Sequence, residues 1–167
     1  MPNFRRHWIE NQIHFQTHVT YKRMPILIDN FEYLWRAIQN MRHDTNFELI
    51  AWAVLPDHFH LMINAGYNDP SDLIKRIKLS FSSRYRKKSH LKYGRVWQHR
   101  FWNHVIMNQI DLNNHIDYIH YNAVKHGYVK DPFEYKYSSL DEYFRQGLYS
   151  RDWGIIESRF FNDSYGE

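Results

Sequence analysis

The chain has 167 residues, a formal net charge of +4 and no cysteine. This length suits one domain with its own core, and the lack of cysteine excludes disulfides and thiolate metal sites. No apolar run approaches the length of a membrane span, and the first residues lead into no apolar signal core. We therefore expect a soluble, cytoplasmic protein.

The first half of the chain predicts three strands and a helix. Residues 12–20 alternate apolar and polar side chains, as a strand does. A helix capped by Asp29 and ending near residue 43 would place its apolar side chains on one face. Residues 47–55 and 58–64 are rich in strand-forming side chains and are separated by a turn, which predicts an antiparallel hairpin.

The second half predicts a helix, a strand and another helix. Pro70 begins a helix whose apolar stripe recurs about every four residues. Residues 101–107 are typical of a fourth strand. The next helix is capped by Asn108 or Asp111 and stopped by Gly127.

A short final helix over residues 138–144 completes the pattern, with Ser139 and Glu142 spaced as a capping box. The resulting order is β-α-β-β-α-β-α. This order predicts an α+β fold in which helices cover an antiparallel sheet in the split βαβ arrangement.

His58 and His60 are the side chains most indicative of a function. They are two residues apart in a predicted strand, so both imidazoles project from one face while Phe59 projects from the other. Two neutral imidazoles side by side form half of a divalent-metal site. The alternative is an ordinary pair of surface histidines, because the chain contains 12 of them.

Residues 73–110 contain ten basic residues and no acidic residue. A solvated helix face normally mixes the two signs, so a segment this one-sided indicates a polyanionic partner. Interleaved aromatic side chains add surface on which unpaired bases can stack. The alternative is an ordinary basic helix followed by a loop. The predicted nucleic-acid contacts are Arg84, Arg86, Lys87, Lys88, Arg95 and Arg100.

No repeat or linker divides the chain, so we predict one domain over residues 1–146. Residues 147–167 then form a tail that packs on this domain or contacts the nucleic acid.

Tyr118 and Asn122 lie one turn apart on the same face of the third predicted helix. A tyrosine hydroxyl with a pKa of about 10 is a weak nucleophile, but a nearby cation can activate a phosphodiester for attack. Asn122 offers an amide oxygen as a third ligand beside the two imidazoles. The spacing leaves Tyr121 open as a rival nucleophile, because it is close to the same face.

Three motifs in order carry a resemblance to a known family. They are LPDHFHL at residues 55–61, VWQHRFWN at 96–103 and DYIHYNAVK at 117–125, and YSS at 137–139 follows them. Together they resemble the REP-associated tyrosine transposases, which are relatives of the IS200/IS605 transposases within the HUH endonuclease superfamily. The resemblance covers residues 10–146.

The resemblance implies a ferredoxin-like fold and Mg²⁺- or Mn²⁺-dependent cleavage of single-stranded DNA through a 5′-phosphotyrosine. It implies that His58, His60 and Asn122 bind the metal and that Tyr118 is the nucleophile. It also implies a hairpin from a repetitive extragenic palindrome as substrate, and thus an enzyme associated with the nucleoid. Ala123 departs from the family, which commonly has proline there, and alanine lets the helix continue.

Two other functions stay open at the level of sequence. One is a nucleic-acid-binding module of the same fold that performs no chemistry. The other is a hydrolase that uses metal-bound water, in which Tyr118 only packs. The sequence also leaves open whether the protein is a monomer or a homodimer.

Overall fold

A four-stranded antiparallel sheet forms the centre of the computed structural model, which describes residues 9–155. The strands are β1 (Ile13–Val19), β2 (Glu48–Val54), β3 (His58–Asn64) and β4 (Trp102–Val105). Their order in the sheet is β2-β3-β1-β4. Ala53 pairs with His60 and Val54 with Phe59, so the predicted hairpin between β2 and β3 is confirmed.

Helices pack on both faces of this sheet. They are α1 (Phe31–Thr45), α2 (Pro70–Lys88), α3 (Gln109–Lys125) and α4 (Leu140–Arg145). The core between the sheet and the pair α1 and α2 includes Phe59, Leu61 and Ile63, whereas the core beside α3 includes Phe15 and Met62. The predicted α+β fold, a ferredoxin-like split βαβ sheet, is confirmed.

Strand β3 contributes to both cores because successive side chains point to opposite faces. Phe59 and Leu61 pack toward α1 and α2, while Met62 packs toward α3. His58 and His60 share the parity of Met62 and are buried on the same face. The position of this strand in the sheet therefore aims both imidazoles at α3.

One predicted helix start differs in the structure, and another is decided between its two candidates. Helix α1 is preceded by Asn30 rather than capped by Asp29, and the Asn30 amide donates to the Ile26 carbonyl oxygen at 2.7 Å. For α3, Asn108 is the cap, because its Oδ1 accepts from the Asp111 backbone N–H at 2.9 Å. The Asn108 bond satisfies a backbone N–H of the first turn of α3, which has no partner within the helix.

The predicted capping box at Ser139 is wrong. Its hydroxyl instead accepts from the Trp52 backbone N–H at 3.0 Å and lies 2.8 Å from His120 Nε2. Tyr137 and Ser139 also hydrogen-bond to β2 through their backbones, at 2.8 and 2.9 Å. The segment therefore covers the edge of β2, whose buried backbone groups require partners.

Among residues 9–155, no helix combines the length and the apolar content needed to cross a membrane.

Candidate metal and tyrosine site

The two motif histidines lie side by side beneath α3. The ring centroids of His58 and His60 are 5.1 Å apart, and both side chains are buried. The prediction that they share one face is confirmed. The alternative of an ordinary surface pair is wrong, because β3 is interior to the sheet and α3 covers that face.

Hydrogen bonding fixes the proton of His58. Its Nδ1 is 2.7 Å from Asp57 Oδ1, and a carboxylate can only accept, so Nδ1 carries a proton and Nε2 is the nitrogen that can face a metal ion. Arg23 Nη1 donates to Asp57 Oδ2 at 3.0 Å. Burial raises the pKa of Asp57, but the bonds from His58 and Arg23 outweigh it and lower the pKa to about 2. Asp57 thus stays ionised and holds the His58 ring in one orientation.

His60 is held as a neutral imidazole. Its Nδ1 lies 2.9 Å from Thr17 Oγ1 on the adjacent strand β1. Burial, followed by the charge of His58, lowers the pKa of His60 well below its usual value. A neutral imidazole is the form that binds a metal ion.

Asn122 completes a set of three donors. Its Oδ1 is 3.3 Å from His58 Nε2, and the side chain is fully buried. His58 Nε2 and Asn122 Oδ1 are therefore close enough to bind one cation together. Two nitrogens and one oxygen without a thiolate fit a hard or borderline divalent ion with open positions for water and phosphate oxygens.

Tyr118 lies next to this donor set. Its side chain is fully buried, and its ring centroid is 5.4 Å from that of His60 and 5.9 Å from that of Phe15. Lys125 Nζ donates to the Tyr118 hydroxyl at 3.1 Å and lies 4.7 Å from the ring centroid. Helix α3 therefore brings the predicted nucleophile and the predicted third ligand to the same place.

Tyr121 has different surroundings. Its ring packs edge-on against Trp153 in the C-terminal segment, with centroids 6.2 Å apart. A Cβ at Gly154 would lie 3.3 Å from its Cδ2 atom, so the backbone of that segment closely approaches the ring. This packing favours Tyr118 over Tyr121 as the residue beside the metal donors.

His126 also lies at this site, although no role was predicted for it. Its ring centroid is 4.9 Å from that of His58. Partial burial, followed by the charges of His58 and Lys125, lowers the pKa of His126 to about 4. Asp57 and Lys125 were likewise not assigned, although the position of Asp57 directly before His58 was a usable signal.

A groove with a volume of about 330 Å³ lies between α2 and residues 95–101. Lys75, Lys78, Arg86 and Arg95 contribute to its lining, which contains no acidic side chain. The lining also includes Trp97 and Phe101. Cations and aromatic rings thus meet in one concave surface, as the composition of this segment predicted.

Lys78 has a distinctive position in the groove. Its Nζ lies 5.2 Å from the ring centroid of Trp97 and 5.8 Å from that of Phe101. Burial lowers the pKa of Lys78 to about 8. Because the ammonium is partly desolvated between two rings, an anion in the groove would interact with it more strongly than with an exposed lysine.

The six predicted nucleic-acid contacts are spread more widely than the groove. Arg86 lines it and donates to the Gly94 carbonyl oxygen at 2.6 Å, and Arg95 lines it above the Tyr21 ring. Lys88 donates instead to Asn30 Oδ1 at 2.9 Å and so ties α2 to the start of α1. The remaining three, Arg84, Lys87 and Arg100, are not part of the groove lining and are partly or fully exposed.

The described part of the C-terminal segment contacts α3. Tyr149 donates to Asp117 Oδ1 at 2.6 Å, and its ring centroid is 4.4 Å from that of Trp153. The predicted boundary at residue 146 and the predicted role of the tail stay predictions, because residues 156–167 lie outside the described residues.

Known proteins resemble this chain over most of its length. The family model described as "Transposase IS200 like" matches residues 8–122. The REP-associated tyrosine transposase of Escherichia coli K12 is 35% identical over 156 residues, covering 92% of this chain and 91% of that protein. A Haemophilus influenzae protein is also 35% identical, over 166 residues that cover 92% of this chain and 94% of that one. The structure of a REP-associated tyrosine transposase bound to a REP hairpin matches with a TM-score of 0.84 at 34% identity, covering 100% of this chain and 98% of that one.

Proposed function

The chain belongs to the IS200-like transposase family, and on that premise we propose that it cleaves and rejoins single-stranded DNA through a covalent phosphotyrosine at Tyr118. One observation carries this proposal. Helix α3 presents Tyr118 and Asn122, one turn apart, to the two imidazoles of His58 and His60, with Lys125 bonded to the tyrosine hydroxyl.

In the proposed reaction, Tyr118 Oη attacks the phosphorus of a phosphodiester. The new bond joins Oη to the phosphorus, which stays attached to the 5′ end of the downstream strand. The bond between phosphorus and the 3′ oxygen of the upstream strand is broken. The tyrosine proton leaves to solvent, and the 3′ oxygen takes up a proton. Because the energy of the phosphodiester is kept in the phosphotyrosine, a 3′ hydroxyl can later reverse the step and join strands without a nucleotide cofactor.

His58, His60 and Asn122 are the residues that would hold the metal. Mg²⁺ or Mn²⁺ bound there would offset the negative charge that develops on the phosphate oxygens. Asp57 and Thr17 act on the ligands, since each hydrogen-bonds the Nδ1 of one histidine and so directs Nε2 toward the donor set.

Lys125 would hold the nucleophile before attack. Its ammonium donates to the Tyr118 hydroxyl, so a negative charge that forms on this oxygen is stabilised where it forms. The same ammonium is available to a phosphate oxygen of the incoming strand.

The proposed substrate is hairpin DNA with a single-stranded flank, of the REP type. The basic and aromatic groove beside α2 supports it, because cations bind phosphates and aromatic rings stack on unpaired bases. The groove lies on the α2 side of the sheet and Tyr118 on the α3 side. DNA that occupies both must therefore pass an edge of the sheet. Such a substrate would place the enzyme with the nucleoid in the cytoplasm.

A trapping experiment tests the proposal. A labelled REP-type hairpin with a single-stranded flank is incubated with the protein and Mn²⁺, then separated in SDS. The expected result is a labelled adduct that forms with Mn²⁺ and not with EDTA. Cleavage that releases a free 5′ phosphate without adduct would instead identify a hydrolase using metal-bound water. Binding without cleavage would identify a binding module.

A further inference from the structure

A second cluster of potential metal ligands lies where β4 meets the first turns of α3. His104 Nε2 is 2.9 Å from Asp111 Oδ2, and His115 Nδ1 is 3.0 Å from Asp111 Oδ1. The two imidazoles stack with centroids 4.6 Å apart. One donor atom from each residue lies within 4.8 Å of the other two.

The donors in this cluster are suited to a transition-metal ion. Two imidazole nitrogens and one carboxylate oxygen form a set that binds Zn²⁺ and similar first-row ions. Asp111 and His115 are one helical turn apart, and His104 extends from the neighbouring strand, so all three are on regular elements. The side chains of His104 and Asp111 are 34% and 19% exposed, which leaves one side open for entry and for water ligands.

We propose that His104, Asp111 and His115 form a second divalent-metal site, which takes Zn²⁺ or a similar first-row ion. The ion joins strand β4 to the beginning of the helix that carries Tyr118. Asp111 is held in place for this role, because its Oδ2 also accepts from the Met107 backbone N–H at 2.8 Å. The site is structural and does not require DNA.

Packing connects this site to the first one. The His115 ring lies 4.8 Å from that of Phe15. Phe15 in turn lies 5.6 Å from the His60 ring and 5.9 Å from the Tyr118 ring. An ion that fixes His115 therefore also fixes the apolar side chain against which the tyrosine packs.

Metal binding changes which imidazole nitrogens of this cluster carry a proton. Without an ion, the imidazoles donate to Asp111, including a contact of 2.9 Å between His115 Nδ1 and the Asp111 carbonyl oxygen. With the ion, each ligating nitrogen presents its lone pair, and each imidazole carries its proton on the other nitrogen. The carboxylate keeps its charge in both states.

Equilibrium dialysis against Zn²⁺ tests the proposal. The double variant His58→Ala/His60→Ala removes two ligands of the first site, and we expect it to retain one equivalent of Zn²⁺. Replacing Zn²⁺ by Co²⁺ should give visible absorption bands. Adding His104→Gln or Asp111→Asn should abolish retention. Adding His43→Gln, a histidine whose side chain is 90% exposed, should leave it unchanged.

The same comparison in the chain with an intact first site keeps the test independent of the double variant. There, His104→Gln should reduce the bound Zn²⁺ by one equivalent and remove part of the Zn²⁺-dependent rise in melting temperature. Equal retention with and without His104 would overturn the proposal and leave the cluster as a hydrogen-bonded network. Because no readout uses DNA, this result is separate from success or failure of the proposed cleavage reaction.

Discussion

Lys125 Nζ donates to the Tyr118 hydroxyl at 3.1 Å and lies 4.7 Å from the centre of the same ring. The two residues are seven apart, so they are two turns apart on one face of α3. Tyr118 is fully buried, so its hydroxyl oxygen is held by a charged donor away from bulk water. A hydrogen bond from a charged donor is stronger in a buried site than at the surface.

We expect Lys125→Gln to slow adduct formation without preventing hairpin binding. Loss of a charged hydrogen bond costs about 1.5–3 kcal/mol, which corresponds to a rate lower by about 10- to 150-fold. Single-turnover adduct formation with saturating hairpin measures the effect. Lys130→Gln removes an exposed lysine and should retain the rate. An unchanged rate in Lys125→Gln would show that Lys125 does not contribute to adduct formation.

Tyr118→Phe should abolish the covalent adduct while hairpin affinity stays within a few-fold. The change removes one oxygen from the proposed nucleophile and leaves the groove intact. Tyr121→Phe is the matched control, since it removes the same oxygen from the same helix, and it should keep full activity. Adduct formation by Tyr118→Phe together with loss in Tyr121→Phe would reassign the nucleophile.

His58→Ala and His60→Ala should each lower the cleavage rate by about a hundredfold or more. Asn122→Ala should cost less, because water can replace a neutral amide ligand. Asp57→Ala tests the orientation of His58 and should weaken Mn²⁺ binding by about 10- to 100-fold, as loss of a partner behind a ligand does. Mn²⁺ titration of the cleavage rate measures all four. A Mn²⁺ requirement unchanged in Asp57→Ala would show that the His58–Asp57 bond does not matter for the metal.

Local spacing was sufficient to predict how β3 and α3 present the site. The alternation at His58 and His60 and the four-residue spacing of Tyr118 and Asn122 are properties of a strand and a helix, and they hold wherever those elements form. That the two elements face each other followed from the sheet topology, which the order of elements indicated.

The features that local spacing did not predict depend on contacts between distant segments. Ser139 is a reasonable helix cap in isolation, but the backbone of Trp52, 87 residues earlier, takes its hydroxyl. Lys88 resembles its basic neighbours in sequence, yet it bonds Asn30 at the start of α1. Lys78 was not among the predicted contacts, because only the fold brings it between Trp97 and Phe101. The periodicity of a single strand or helix does not indicate which distant residues come into contact.

Groove variants test whether this surface binds DNA. We expect Lys75→Ala/Arg95→Ala to weaken hairpin binding and to lower the slope of log affinity against log salt, by about 0.7 per lost contact to a single strand and 0.9 to a duplex. Arg36→Ala/Lys136→Ala removes the same charge from exposed positions outside the groove and should retain the slope. Fluorescence anisotropy at several salt concentrations provides both values. Equal slopes in the two double variants would exclude the groove as the phosphate contact.

The last prediction concerns the stability of the fold in acid. His120 is buried beneath α4, with Nε2 2.8 Å from Ser139 Oγ and Nδ1 3.2 Å from the Tyr149 hydroxyl. Burial lowers the pKa of His120 to about 3. Unfolding returns the pKa to about 6.5, so the unfolded chain binds more protons between these values. The free energy of unfolding should therefore fall with decreasing pH, by up to about 1.4 kcal/mol per pH unit for this histidine.

Urea unfolding at several pH values between 7 and 4.5 measures this dependence. His120→Gln should be less stable than the native chain at pH 7, because its packing changes, but its stability should depend less steeply on pH. Tyr149→Phe is the control, since it removes a partner of His120 and keeps the imidazole, and it should preserve the steep dependence. A pH dependence in His120→Gln as steep as that of the native chain would mean that other buried histidines, such as His18 and His60, account for the acid lability.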